Sequence, residues 1–165
     1  MDNDVHAGLI AQFNRCAALN RRCIAYGQKA LDEKRLREAR LFRAIARSAT
    51  IQGAHLLTAA SGIGTTDQNL SRELGEARTV LLDVLPEEIN RAKASGSTPA
   101  SVALEHAHAA ALSTAELLEE ALAAPSGSGR GELYVCSICG FLVQGEAPDV
   151  CPSCGVNKQL LPAVE

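Results

Sequence analysis

The sequence predicts a mainly α-helical protein, a four-helix bundle followed by a small module of short strands and loops. Two observations indicate this fold class. Apolar residues recur at steps of three and four along four separate stretches of residues 1–124, which is the period of one buried helix face. Residues 132–165 instead combine short apolar runs with prolines and four of the six cysteines.

Each helical stretch has its own apolar stripe, and we expect these stripes to be the buried faces. The stripes are Cys16, Leu19, Cys23, Tyr26 and Ala30; Phe42, Ile45, Ala49, Gln52 and Leu56; Leu70, Leu74, Ala77, Leu81 and Val84; and Leu104, Ala107, Ala111, Thr114, Leu118 and Ala121. Thr66 or Asp67 is the expected N-cap of the third helix. Pro86 lies inside the same helix, so we expect a kink there.

A change of composition marks the end of the helical part. Residues 125–131 read "PSGSGRG", which is typical of a flexible linker. The short apolar pieces "LYV" and "FLV" that follow favour two strands. We therefore predict a helical bundle over 1–124, a linker over 125–131 and a small domain over 132–165. The small domain has too few residues for a core of its own, so it needs a covalent or metal staple.

Four cysteines in the small domain are spaced to supply that staple. Cys136 and Cys139 form one Cys-x-x-Cys pair, and Cys151 and Cys154 form another. Two such turns can present four thiolates to one ion, and a tetrahedral four-sulfur site suits zinc or a single iron. A glycine follows each pair and permits a positive φ, which lets backbone N–H groups point at the sulfurs.

Composition excludes several other classes of protein. The formal net charge of −3 and the lack of a basic stripe argue against nucleic-acid binding. No export signal opens the sequence, and the longest uncharged run, 48–66, is too polar for membrane insertion. We expect a cytoplasmic protein, and in a reducing compartment the paired cysteines indicate metal binding rather than disulfides.

The segment "YVCSICGFLVQGEAPDVCPSCGVNKQLLPAVE" (134–165) resembles the rubredoxin-like domain of rubrerythrins. The helical part resembles the same family at "EARLFRAIARSA" (38–49), "GIGTTDQNL" (62–70), "VLPEE" (84–88) and "TAELLEEAL" (114–122). The resemblance implies a ferritin-like four-helix bundle with a C-terminal rubredoxin-like domain. It also implies one iron in the four-cysteine site that carries single electrons, with zinc as the alternative.

In rubrerythrins the bundle also carries a carboxylate-bridged di-iron centre that reduces peroxide. Glutamates and Glu-x-x-His pairs from several helices hold its two ions. No carboxylate or imidazole occupies any of the positions that match these ligands. Those positions are Cys16, Ala49, Gln52, Ala77, Val80, Ala111 and Thr114. We therefore expect no di-iron centre and a dry, repacked core.

Other side chains could in principle replace the missing ligands. Glu105 and His108 form a Glu-x-x-His pair, but it lies six residues before the matched pair and so faces another side of the helix. We expect Glu105, His106 and His108 near the surface. Asp83 lies near the matched positions of the third helix but is a lone acid.

Cys16 and Cys23 stand seven residues apart on one helix, too far for a disulfide. We interpret them as small apolar core residues. A reactive Cys16 thiol is the less favoured alternative, because nothing positive lies on its inward face.

Three functions fit these features. The leading hypothesis is an electron-transfer protein with one rubredoxin-type iron and a helical part that serves for dimerisation or docking to a redox partner. The first alternative is a peroxide-reducing enzyme of the rubrerythrin type with an atypical bundle cofactor. The second is a structural or adaptor protein with zinc in the four-cysteine site. Independent di-iron peroxidase activity is not expected.

Overall fold

The computed structural model describes residues 2–124 and 131–164, and the chain divides after Gly64 into two compact units. The mainly helical fold class is confirmed, because four helical stretches precede a small two-stranded sheet. No helix in the described ranges is both long and apolar enough to cross a membrane. The domain boundaries at 124 and 132 stay predictions. The predicted linker lies, except for Gly131, outside the described residues.

The first unit is a helical hairpin of α1 (Asn3–Asp32) and α2 (Leu36–Ala59). The Asp2 carboxylate begins α1 by accepting a hydrogen bond from the Asp4 N–H at 2.8 Å, which satisfies one of the free donors at a helix start. Between the helices Lys34 has a φ of 61°, a left-handed conformation that reverses the chain within three residues.

Small side chains fill the interface of α1 and α2. Its buried residues are Cys16, Cys23, Gly27, Ala30, Ala39, Ala46, Ala49 and Gly53. The helix backbones approach closely: a Cβ added to Gly27 would lie 3.5 Å from the Ala39 carbonyl oxygen. The predicted stripes are therefore wrong in part. Leu19 and Tyr26 are 37% and 50% exposed, because two helices in close contact bury only a narrow line of small residues.

A polar contact that the sequence did not predict also joins α1 to α2. The Asn20 side-chain amide donates to the Ala46 carbonyl at 2.9 Å and to the Thr50 hydroxyl at 2.8 Å. The Thr50 hydroxyl in turn donates to Ala46 at 3.1 Å. These bonds fix the register of the two helices where the side chains themselves are too small to interlock.

The second unit begins with one long helical stretch. It consists of α3 (Thr66–Thr79), a π-helical turn (Val80–Val84) and α4 (Leu85–Ala94). The predicted N-cap is wrong by one or two residues: Thr65 caps α3 and forms a capping box with Gln68. The sequence signal was the Thr-x-x-Gln spacing, in which the two side chains and backbone N–H groups bond reciprocally.

The kink expected at Pro86 stays a prediction, but a π-helical turn lies just before this residue. The Leu85 N–H donates to the Val80 carbonyl, five residues earlier. Proline has no N–H, and in a regular helix its ring collides with the carbonyl four residues before it, here Leu82. A wider turn relieves this collision without ending the helix.

The long stretch packs against α5 (Thr98–Ala123). Ion pairs at the surface join them, Arg78 to Glu119 at 2.7 Å and Lys93 to Glu105 at 2.8 Å. The buried residues of these helices are Leu74, Leu85, Ala92, Ser113 and Ala115. Of these only Leu74 belongs to a predicted stripe. Most other residues of those two stripes are half-buried, whereas Val84, Ala107 and Ala121 are exposed, so the stripes are confirmed only in part as buried faces.

The small domain contains β1 (Glu132–Val135) paired antiparallel with β2 (Leu142–Gly145). Its buried apolar residues are Cys136, Cys151 and Leu161. Two of these three side chains are thiols. The domain therefore has very little apolar core apart from its cysteines, as the sequence predicted.

Candidate metal centre

The first cysteine pair lies in the turn that joins β1 to β2. The Cys136 N–H donates to the Phe141 carbonyl and the Gly140 N–H donates to the Cys136 carbonyl, each at 2.9 Å. Gly140 has a φ of 77°, the left-handed conformation that glycine adopts without strain. The Phe141 N–H then faces the sulfur of Cys139. The predicted role of this glycine is confirmed.

The second pair repeats the same turn. The Cys151 N–H donates to the Val156 carbonyl at 2.8 Å, and the Gly155 N–H donates to the Cys151 carbonyl at 2.9 Å. Gly155 has a φ of 73°, and the Val156 N–H faces the Cys154 sulfur. Two equivalent turns therefore present their thiols in the same way.

The four sulfurs converge on one point. The Sγ atoms of Cys136 and Cys154 are 3.6 Å apart, as are those of Cys139 and Cys151, and all four lie within 4.8 Å of one another. A regular tetrahedron with metal–sulfur bonds of about 2.3 Å has edges of about 3.8 Å. The cysteines are thus positioned to bind one metal ion, and their thiolate donors fit iron or zinc.

Burial and backbone N–H groups act in opposite directions on the first two thiols. Burial raises the pKa of Cys136, but the N–H groups of Cys139 and Ile138 donate to its sulfur, and the net pKa is lowered to about 7. Burial is the largest effect on Cys139 and raises its pKa to about 12, although the Phe141 N–H favours its thiolate. As the pH rises, the Cys136 thiol therefore ionises before the Cys139 thiol, which keeps its proton to higher pH. Such a difference is expected of adjacent thiols.

The thiol of Cys154 also holds its proton. The Val156 N–H lowers its pKa, but burial and the neighbouring sulfurs of Cys136 and Cys151 outweigh that effect, so the pKa is raised. Cys136 and Cys151 are buried, whereas Cys139 and Cys154 are half-buried. The second cysteine of each pair therefore lies nearer to solvent.

We expect metal affinity to rise steeply with pH. At neutral pH the thiols of Cys139 and Cys154 are protonated, while a bound ion requires thiolates, so binding displaces at least two protons. The apparent zinc affinity of the full chain should increase about 100-fold per pH unit near neutrality. Competition against a chromophoric chelator, corrected for its own protonation, measures this slope. A slope below about tenfold per unit would contradict the prediction.

The positions that match di-iron ligands in the first unit hold no charged group. Cys16 and Ala49 are 5% and 2% exposed within the α1–α2 interface. Gln52 is exposed, and its amide donates to the Ser48 hydroxyl at 3.0 Å. Cys16 and Ala49 therefore pack in the helix interface, and Gln52 forms a hydrogen bond at the surface.

The matched positions of the second unit are equally poor in donors. Ala77 and Ala111 are half-buried, and Val80 is 37% exposed. The Thr114 hydroxyl donates to the Ala110 carbonyl of its own helix at 2.8 Å.

The substitute ligands considered from sequence do not converge either. Glu105 is exposed and paired with Lys93, whose hydrogen bond and charge lower its pKa; the expectation of a surface glutamate is confirmed. His106 and His108 are half-buried, and Asp83 is exposed in the π-helical turn. Across residues 2–124 and 131–164, the four cysteines are the only His, Cys, Asp or Glu group of three or more whose ligand atoms meet.

Cys16 and Cys23 are not members of the group of converging cysteines. Both thiols are buried, 5% and 4% exposed, between α1 and α2. Their interpretation as small apolar core residues agrees with this position.

Sequence reasoning missed one group that supports the centre. It is Ser113 of α5, whose hydroxyl accepts a hydrogen bond from the Leu142 N–H at 3.2 Å. No local pattern could have found Ser113, because its partner lies 29 residues further along the chain.

These features define a class of protein: helices followed by a small domain with a four-cysteine metal site. Residues 134–160 match the family model "Rubrerythrin, rubredoxin-like domain". No curated protein shows significant sequence similarity to the chain.

Three solved structures of nigerythrin have a similar fold. They represent a mixed-valence state, a partially reduced state and a fully reduced, all-ferrous state, and each gives a TM-score of 0.58. Their sequence identities are 22%, 22% and 21%, over 99% of this chain and 88% of theirs. The resemblance to rubrerythrins is thus confirmed in sequence over the rubredoxin-like domain and in fold over the chain.

Proposed function

We propose that this protein transfers single electrons through one iron held by Cys136, Cys139, Cys151 and Cys154. The observation that carries the proposal is the convergence of four sulfurs that accept backbone N–H hydrogen bonds. Iron in such a site would alternate between the ferric and ferrous states, and hydrogen bonds to the sulfurs tune its reduction potential. The similar fold of nigerythrin, solved in an all-ferrous state, supports iron over zinc.

The half-buried side of the site supports exchange of electrons with a partner protein. Cys139 and Cys154 are the more exposed ligands. Ile138 beside Cys139 is 59% exposed, and Val150 is 50% exposed. Apolar side chains around a partly exposed metal centre favour close, short-lived contact with a redox partner.

A visible spectrum tests the proposal directly. Protein purified anaerobically and then oxidised should be coloured by sulfur-to-iron charge transfer, and the colour should bleach on reduction and return on reoxidation. A colourless protein with one zinc per chain would overturn the proposal in favour of a structural or adaptor role. Peroxide reduction by protein whose four-cysteine site has been removed would instead indicate an enzyme with a bundle cofactor.

We propose further that the helical part associates as a homodimer. Large apolar side chains are exposed on helices of both units, among them Ile24, Tyr26, Ile51, Leu82 and Leu112. Charge supports contact between the basic first half of one helical part and the acidic second half of another. Residues 1–64 carry ten Lys and Arg against five Asp and Glu, and residues 65–124 carry four against ten.

The protein should therefore sediment as a dimer at micromolar concentration. Replacing Leu82, which is 68% exposed, or Ile51, which is 51% exposed, by Asp should raise the monomer fraction, because a charge in an apolar interface is poorly solvated. Ile138→Asp is the matched control, since Ile138 is 59% exposed, between the values of Ile51 and Leu82, but lies at the metal centre. A monomeric wild-type mass under these conditions would disprove the dimer.

A further inference from the structure

At the outer edge of β2, the backbone N–H of Leu142 is bonded to a side chain rather than to another strand. β2 pairs with β1 on one side only. On the other side the Leu142 N–H donates to the Ser113 hydroxyl oxygen of α5 at 3.2 Å. An unpaired N–H on a strand edge needs a partner when water is excluded from it, and Ser113 supplies that partner from the same chain.

Ser113 is arranged to accept this bond. It is 3% exposed, and its own hydroxyl proton is donated to the Ala110 carbonyl at 3.0 Å. The oxygen lone pairs therefore remain free for the Leu142 N–H. Within residues 2–124 and 131–164, this is the only hydrogen bond that joins α5 to the small domain.

The contact lies three residues after Cys139 of the metal centre. Leu142 follows Phe141, whose carbonyl accepts the Cys136 N–H at 2.9 Å and whose N–H faces the Cys139 sulfur. The backbone that Ser113 holds is thus the backbone that positions the first cysteine pair. Beside the contact lies a cleft of about 390 Å³, lined among others by Leu117, Glu120 and Val143, so the helix and the domain are not closely packed there.

We propose that Ser113 is the positioning residue that docks the rubredoxin-like domain on α5 of its own chain. A single buried hydrogen bond beside an open cleft sets the place of the four-cysteine site relative to this helix. The proposal goes beyond electron transfer and holds for either metal, because every contact in it belongs to the protein.

Two NMR measurements on the full chain, ¹⁵N-labelled and loaded with zinc, test the proposal. They are the hydrogen-exchange rate of the backbone amides and the rate at which each part of the chain tumbles. In Ser113→Ala the Leu142 amide should exchange at least about fivefold faster, the effect of one net hydrogen bond. Residues 131–164 should also tumble faster relative to α5, while one zinc per chain is retained. Ser113→Thr keeps the hydroxyl and should restore slow exchange.

Ser101→Ala is the matched control, because Ser101 also lies on α5 and its hydroxyl donates to the carbonyl of Ser97, the N-cap residue of that helix. It should leave the exchange rate of Leu142 unchanged. Wild-type exchange and tumbling in Ser113→Ala would overturn the proposal. Independently of any variant, the wild type should show a nuclear Overhauser effect between the Leu142 amide proton and the Ser113 β protons, and its absence would also overturn the docking. Zinc has no redox chemistry, so neither result depends on the electron-transfer proposal.

Discussion

Replacing Cys139 with serine is expected to release the metal ion and unfold the small domain while the helices persist. Within residues 131–164 the fully buried apolar residues are Cys136, Cys151 and Leu161, with other apolar side chains partly buried against them. We therefore expect the folding free energy of the domain to come mainly from metal binding. Loss of one thiolate should weaken binding by more than the 10–100-fold typical of an outer-shell change. Far-UV circular dichroism should change little, because α1 to α5 all lie before residue 124.

Cys23→Ser provides the matched control. It makes the same atomic change at a buried thiol, 4% exposed in α1, where the hydroxyl can donate to a carbonyl of its own helix. This variant should keep its metal and the spectrum of the small domain. Helix loss in Cys139→Ser as large as in global unfolding would contradict the independence of the two parts, as would full metal content.

Protein fully loaded with iron is expected to contain about one iron per chain and to lack di-iron peroxide reduction. Two dications in an apolar interior require several carboxylates to offset their desolvation. The matched positions offer one thiol, one amide and one hydroxyl, at Cys16, Gln52 and Thr114, and the remaining four are Ala or Val. Asp83 adds one exposed carboxylate, which cannot hold two ions.

The Cys139→Ser variant separates iron bound in the helical part from iron bound in the four-cysteine site. With the four-cysteine site disabled, any iron that remains after loading and desalting reports a site in the helical part. Elemental analysis should then give close to zero iron per chain. Two irons per chain that survive the substitution, with an oxo-bridged absorption band, would refute the loss of the di-iron centre.

The sequence alone sufficed for the metal site because its determinants are local. The Cys-x-x-Cys-Gly spacing fixes a turn, and the glycine φ aims the N–H groups, so Gly140 and Gly155 could be assigned their roles from chain order alone. Likewise, periodicity located four helical stretches. Such features depend on residues within one or two turns of each other.

Features that depend on two distant segments could not be predicted in this way. Periodicity shows that a helix has an apolar face, but it does not show how much of that face the neighbouring helix buries. Leu19 and Tyr26 therefore stay exposed where Gly27 and Ala46 are buried. The Ser113 contact depends in the same way on where β2 comes to lie, which the sequence of α5 does not encode.

The π-helical turn at Val80–Val84 bears on how chains of this fold diverge in length. Such a turn holds one residue more than an α-helical turn, so a helix can accommodate a single-residue insertion without breaking. The inserted residue rotates all that follows by about 100° around the helix axis. A gapless alignment with a relative that lacks the inserted residue would then be wrong by one position in α4. From Leu85 onward, it would assign to each side chain the direction of the neighbouring residue. Insertions and deletions of one residue should therefore be tolerated at this turn and poorly tolerated in the close-packed α1–α2 hairpin.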